Sequence, residues 1–134
     1  MRRSDCPRFW QILFAGATAL AVAIACLPHP PLPAYPPDEI LHFFTFGALA
    51  VLAQASFPHT RAWTILVGLS ALGAGIELFQ LISKLGRDAS TGDWLADILG
   101  VLAGLVAARL ICVFKIFRIK QQFGDEQSKT EKNR

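Results

Sequence analysis

Residues 62–83 read AWTILVGLSALGAGIELFQLIS, with Glu77 as the single charge in the run. As a helix rising 1.5 Å per residue, this stretch reaches about 33 Å, enough to cross a hydrocarbon core of roughly 30 Å. It is apolar all round and offers water no continuous polar face, which points to a membrane span and not to a surface helix. Outward from it lie three similar blocks: Ile40 to Phe57 before it, Trp94 to Phe114 after it, and Phe9 to Leu27 near the start. Each is close to the ~20 residues a crossing needs. All of the Pro and most of the Lys, Arg and Asp lie outside these four blocks. A chain of 134 residues that is 53% hydrophobic and 17% charged is also richer in apolar residues than a typical soluble domain.

The expected fold class is therefore all-α, an integral membrane four-helix bundle. Residues 1–8 form the N-terminus, 9–114 the four-span membrane domain, and 115–134 a polar tail. Ile116, Phe117, Ile119 and Phe123 extend the last helix along the interface, and the distal part of the tail is expected to be disordered.

Arg2, Arg3 and Arg8 precede the first span, Arg61 lies between the second and third, and Lys115, Arg118 and Lys120 follow the fourth. Four crossings put all of these on one side. The other side carries Lys84 and Arg87 among the acidic Asp38, Glu39, Asp88 and Asp93, so the positive-inside rule predicts both termini in the cytoplasm. This placement of Lys and Arg at span ends also accounts for the net charge of +3 without nucleic acid as a partner. The first outer loop, 28–37, holds six of the eight prolines and reads as an extended linker. Asp38 after it reads as the N-cap of the second span. Cys6, Cys26 and Cys112 show no CxxC or metal-ligand spacing, and no disulfide is expected. Arg2, Arg3 and Ala23-Ile24-Ala25 before Cys26 imitate a cleavable signal sequence. Ala in place of Leu three residues before Cys26, together with the length of the apolar run, favours an uncleaved first span.

A carboxylate at the bilayer centre costs about 2.5 to 3.5 kcal/mol, so Glu77 and Asp97 must be paired, solvated or near an interface. Glu77 lies roughly 22 Å along its helix from Ala62, in the outer third of the bilayer. Asp97 sits just inside the outer end of the fourth span, and His42 just inside the outer end of the second. Three spans thus bring ionisable groups to one level. Gln80 shares a face with Glu77, and Asp93 shares one with Asp97. Gly100 and Gly104, and likewise Ala71 and Gly75, form small-xxx-small pairs that let helices approach closely. Arg87, in the loop that also holds Ser90, is able to pair with Glu77 or Asp97. Arg109 is expected to snorkel to the cytoplasmic interface.

Asp38 and His42, then Glu77-x-x-Gln80, Gly86-Arg87, Ser90, Asp93, Asp97 and Gly100 form an ordered set that resembles the VanZ-like family of small bacterial membrane proteins. The resemblance covers roughly residues 38–104, and members commonly carry Asn where this chain has Asp97. It implies a multi-pass protein of the bacterial inner membrane with a role in the cell envelope. The family takes its name from a protein linked to resistance to the glycopeptide teicoplanin.

Two functions follow as expectations. In the first, the outer cluster of Asp38, His42, Glu77, Gln80, Arg87, Ser90, Asp93 and Asp97 binds a membrane lipid head group, a lipid-linked cell-wall precursor or a glycopeptide. In the second, the chain is an intramembrane acid/base enzyme on a lipid-linked substrate, with Glu77 and His42 as partners and Arg87 stabilising an anion. A carrier ranks below both, because four short spans would have to form a homodimer to make a pathway. No cofactor is implied. His42, Glu77, Asp93 and Asp97 are metal-ligand types, but with one imidazole and no diagnostic spacing no metal site is assigned.

Overall fold

A computed structural model of the chain describes residues 5–27, 37–83 and 90–132. Residues 28–36 of the expected proline-rich linker, together with Lys84, Arg87 and Asp88, lie outside the described residues. Four helices follow one another: α1 (Asp5–Ala25), α2 (Asp38–Ser56), α3 (Ala62–Ser83) and α4 (Thr91–Lys132). Each contains a segment long and apolar enough to cross a membrane: Arg8–Ala25, Asp38–Ser56, Ala62–Ile82 and Thr91–Gln122. The protein is a multi-pass, all-α membrane protein with four spans.

Its polarity is distributed as lipid demands. Large apolar side chains face outward on every helix, among them Ile12 at 74% exposure, Phe44 at 68%, Trp63 at 71% and Phe114 at 70%. Meanwhile His42, Ser56, Gln80, Asp93 and Asp97 are buried. In water so much exposed apolar surface would drive aggregation, whereas in a bilayer it is solvated by acyl chains.

The tightest packing is between α2 and α4. On α2 the buried residues His42, Phe46, Leu49, Ala50, Ala53 and Ser56 recur at helical spacing and form one stripe. On α4 the matching stripe is Asp93, Asp97, Gly100, Val101, Gly104 and Leu105. Glycine makes the approach possible. A Cβ on Gly100 would collide with the carbonyl oxygen of Phe43, and one on Gly104 with the carbonyl oxygen of Gly47. Gly47 in turn has the Gly100 carbonyl oxygen 3.2 Å from where its own Cβ would lie. These contacts bear out the close-approach reading of Gly100 and Gly104. Gly75 does not act in this way, because nothing lies within 4 Å of a Cβ placed there. The glycine of α3 that meets another helix is Gly73.

Two further differences from the sequence reading stand out. The N-cap of α2 is Pro37, with no side-chain capping bond, so Asp38 is the first helical residue and not the cap. Proline's fixed φ and lack of an N–H suit the start of a helix, and Asp38 and Glu39 in the first turn still favour the positive end of its dipole. At the other terminus, α4 remains helical to Lys132, through the stretch expected to become disordered. The residues beyond the apolar run, such as Lys120, Gln121 and Gln122, are good helix formers, and backbone hydrogen bonding continues without an apolar face to bury. At 42 residues α4 is about 63 Å long, roughly twice a hydrocarbon core.

Helix α1 packs mainly on α2. Phe14 meets Phe57 edge-to-face at 6.0 Å between ring centroids, and Gln80 of α3 donates from Nε2 to the Ala25 carbonyl oxygen at 2.9 Å.

Candidate functional site

The start of α2, the end of α3 and the start of α4 meet at one end of the bundle, and the intramembrane polar residues collect there. Serine at position 90 organises the entry to α4. Its Oγ accepts from the Gly92 N–H at 3.1 Å, the bond expected of an N-cap, and its carbonyl oxygen accepts from the Asp93 N–H at 3.1 Å. Its own N–H points back to α3 and donates to Glu77 Oε2 at 2.9 Å. Glu77 is thereby tied to the start of α4, while its Oε1 is buried with no hydrogen-bond partner among the described residues.

Beside it, His42 Nδ1 and Asp97 Oδ1 lie 2.8 Å apart. Asp97 is fully buried and His42 is 9% exposed. An ionised carboxylate only accepts, so Nδ1 carries the hydrogen and Nε2 is left as the second functional atom of the ring. The imidazole also stacks on Phe46 one turn along α2, at 6.3 Å and with an interplanar angle of 7°. A carboxylate and an aromatic face therefore fix its orientation. His42, Glu77 and Asp93 each offer a donor atom, and these three atoms all lie within 4.8 Å of one another. Asp97 Oδ2, like Glu77 Oε1, is buried without a hydrogen-bond partner among the described residues. The described ion pairing here is His42 with Asp97, and two more carboxylates adjoin it.

An apolar cavity of about 290 Å³ reaches this centre from the side. It is lined by α1 (Ala17, Leu20, Ala21, Ile24, Ala25), α2 (Leu41, His42, Thr45, Phe46) and Ile76 of α3. Among the described residues, His42 is the one ionisable residue in that wall.

The family model for VanZ/LLP1 matches residues 8–118. The chain belongs to the VanZ/LLP1 family. No curated protein and no solved structure matches it. The matched region takes in the first three spans and most of the fourth, including the span of α1, which supplies half of the cavity wall.

Of the eight residues singled out in this VanZ/LLP1 chain, His42, Glu77, Asp93 and Asp97 form one centre, with Ser90 in direct contact with it. Asp38 is half-buried in the first turn of α2, on the same side, within electrostatic range of Asp93. Gln80 is buried but turns away to α1. Arg87 lies outside the described residues. His42 is hydrogen-bonded to Asp97, and Glu77 lies close to it in the same cluster. Two contributors were missed. Gly73 leaves space for Asp97, whose Oδ2 would overlap a Cβ there, and Glu39 has Oε1 3.0 Å from the Cβ position of Gly92. A glycine three residues before Ile76 and four before Glu77, on the face of Glu77, was the available signal for the first.

Arg109 is exposed and lines a shallow cleft with Ala62 and Trp63, at the far end of the bundle from the polar centre. An arginine at a span end fits a side chain reaching for the interface.

Proposed function

We propose that this VanZ/LLP1 protein binds a lipid-tailed molecule of the cell envelope. The head lies at the centre formed by His42, Glu77, Asp93 and Asp97, and the tail lies in the groove between α1, α2 and α3. The observation that carries this reading is the continuity of the apolar cavity with the imidazole of His42. A groove with a few convergent polar groups at one end suits an amphiphile. The groove adds little affinity by itself, since bulk acyl chains are as apolar as its walls. Its shape selects the tail, and the polar centre supplies the preference for one head group. Asp38, Ser90 and, by its place in the chain, Arg87 complete the proposed head-group surroundings.

The test is binding of a labelled lipid-linked cell-wall precursor and of a lipid-tailed glycopeptide to the purified protein in detergent. Saturable binding is expected, weakened about tenfold by Ala21→Trp, which fills the groove, and comparably by Glu77→Gln. A tenfold loss corresponds to about 1.4 kcal/mol. Binding that never saturates, or that ignores both variants, means the groove holds only bulk lipid.

Acid/base catalysis on the same class of molecule is the second reading. It is favoured by the His42–Asp97 pair, which orients an imidazole with Nε2 free to take or give a proton. Turnover of the bound precursor, lost in His42→Ala, would select it over binding alone.

We further propose that both termini are cytoplasmic and that the polar centre lies in the outer leaflet, in the bacterial inner membrane. With Cys6, Cys26 and Cys112 replaced by Ser, Thr91→Cys is expected to react with an impermeant maleimide on intact spheroplasts. His59→Cys, in the loop between α2 and α3, is expected to react only after permeabilisation. The reverse pattern would overturn this orientation.

A further inference from the structure

We infer that His42, Glu77 and Asp93 form a binding site for a first-row divalent metal ion, with Asp97 as the carboxylate that orients the histidine ligand. The inference does not depend on the lipid-binding reading.

Three observations carry it. The first is convergence: one imidazole and two carboxylates, from three different helices, bring a donor atom each to within 4.8 Å of the others. Bonds of about 2.0–2.2 Å in a tetrahedral site place ligand atoms roughly 3.3 Å apart, so side-chain adjustments of about 1–1.5 Å close the set around an ion. The second is the arrangement behind the histidine. A metal-bound imidazole almost always gives its other ring N–H to a carboxylate, a backbone carbonyl or water. Asp97 Oδ1 accepts at that position from His42 Nδ1 at 2.8 Å, which leaves Nε2 for the ion. The third is the excess of acceptors. Among the described residues, Glu77 Oε1 and the fully buried Asp97 Oδ2 have no hydrogen-bond partner, and no Lys or Arg pairs with this centre. Among the described residues, even with His42 protonated, three carboxylates outnumber the cations at this centre, and a carboxylate left over at membrane depth must take up a proton or meet a cation. A divalent ion on His42, Glu77 and Asp93 supplies Glu77 Oε1 with a partner and offsets that charge.

The donor set indicates the type of ion. Imidazole with carboxylates suits zinc or manganese better than copper(I), which prefers sulfur, or calcium, which takes an all-oxygen shell. Three protein ligands also leave a coordination position open to an exogenous oxygen, as in catalytic and not structural zinc sites.

The experiment uses the full-length protein, purified without an oligohistidine tag, stripped with a chelator and titrated with Zn²⁺. Co²⁺ serves in parallel as a spectroscopic probe. One saturable equivalent of Zn²⁺ is expected, together with chelator-reversible visible Co²⁺ bands. Glu77→Gln and Asp93→Asn should each weaken binding at least about tenfold, and Asp97→Asn about 10- to 100-fold while perturbing the Co²⁺ spectrum. His59→Ala, whose imidazole is exposed at the opposite end, should leave binding unchanged. No saturable uptake by the wild type overturns the proposal. So does uptake that survives both carboxylate variants or disappears with His59→Ala. Should the carboxylate variants not accumulate, the wild-type Co²⁺ spectrum decides alone, and bands absent or characteristic of octahedral aqua ions count against the site.

Discussion

A Gly104→Leu chain is expected not to accumulate in the membrane, whereas Gly16→Leu and Gly68→Leu are expected to reach wild-type levels. All three are helical glycines in apolar spans, so composition does not distinguish them. Their surroundings do. A Cβ at Gly16 or Gly68 meets nothing within 4 Å, and leucine there gains helix propensity and faces lipid. At Gly104 the first added carbon overlaps the Gly47 carbonyl oxygen, with the Ala50 Cβ 2.9 Å away and the Gly47 carbonyl carbon 3.0 Å away. Backbone cannot swing aside as the end of a flexible side chain can, so the two helices must separate. Overpacking of a core typically costs about 1–3 kcal/mol, and a clash with main chain belongs at or beyond the top of that range. Lipid offers no hydrophobic force to press α2 back against α4, because association there rests on van der Waals contact and hydrogen bonds. Separation also strains the 2.8 Å link between His42 and Asp97, which joins the same two helices. Fluorescence-detected size exclusion of tagged variants measures the effect. A monodisperse Gly104→Leu peak of wild-type height would show that the close approach is dispensable.

Much of this architecture is legible in the chain because span length, charge and polarity are one-dimensional properties. The four spans follow from apolar runs of the length a bilayer imposes. The common level of His42, Glu77, Asp93 and Asp97 follows from counting residues from span ends. Rotation about each helix axis is a different matter. Spacing puts Glu77 and Gln80 on one face, yet that face is wide enough for Glu77 to reach Ser90 while Gln80 reaches Ala25 of α1. Likewise, depth alone cannot decide whether His42 meets Glu77 or Asp97. Gly73 escaped notice for the same reason, since the group it accommodates lies on another helix. The capping reading of Asp38 failed more locally, because the residue before it, Pro37, already has the conformation of a cap. The helical course of α4 beyond its apolar run goes with helix-forming residues such as Lys120, Gln121 and Gln122.

Substitutions at Asp97 are expected to separate its role as a buried hydrogen-bond acceptor from its role as a charge. Asn retains an oxygen at the position of Oδ1, so it still accepts from His42 Nδ1 and matches the space made by Gly73. It also removes a fully buried charge whose Oδ2 has no hydrogen-bond partner among the described residues, and relief of that desolvation should offset the weaker, uncharged hydrogen bond. Asp97→Asn is therefore expected to melt at or above the wild-type temperature. Asp97→Ala leaves the His42 N–H buried without an acceptor, at about 1–3 kcal/mol, and opens a void between α2, α3 and α4 that adds to the loss. A total near 2–4 kcal/mol should lower the melting temperature by several degrees or more. Asp97→Leu likewise leaves the His42 N–H without an acceptor and should also melt below the wild type. Thermal melts of the solubilised variants, followed by loss of the monodisperse peak, give the ranking directly. If Ala melts with the wild type, the pairing with His42 contributes nothing to the bundle. If Asn instead falls as far as Ala, the negative charge itself is what the bundle requires, and a cation held close to Asp97 becomes part of the fold and not only of its chemistry.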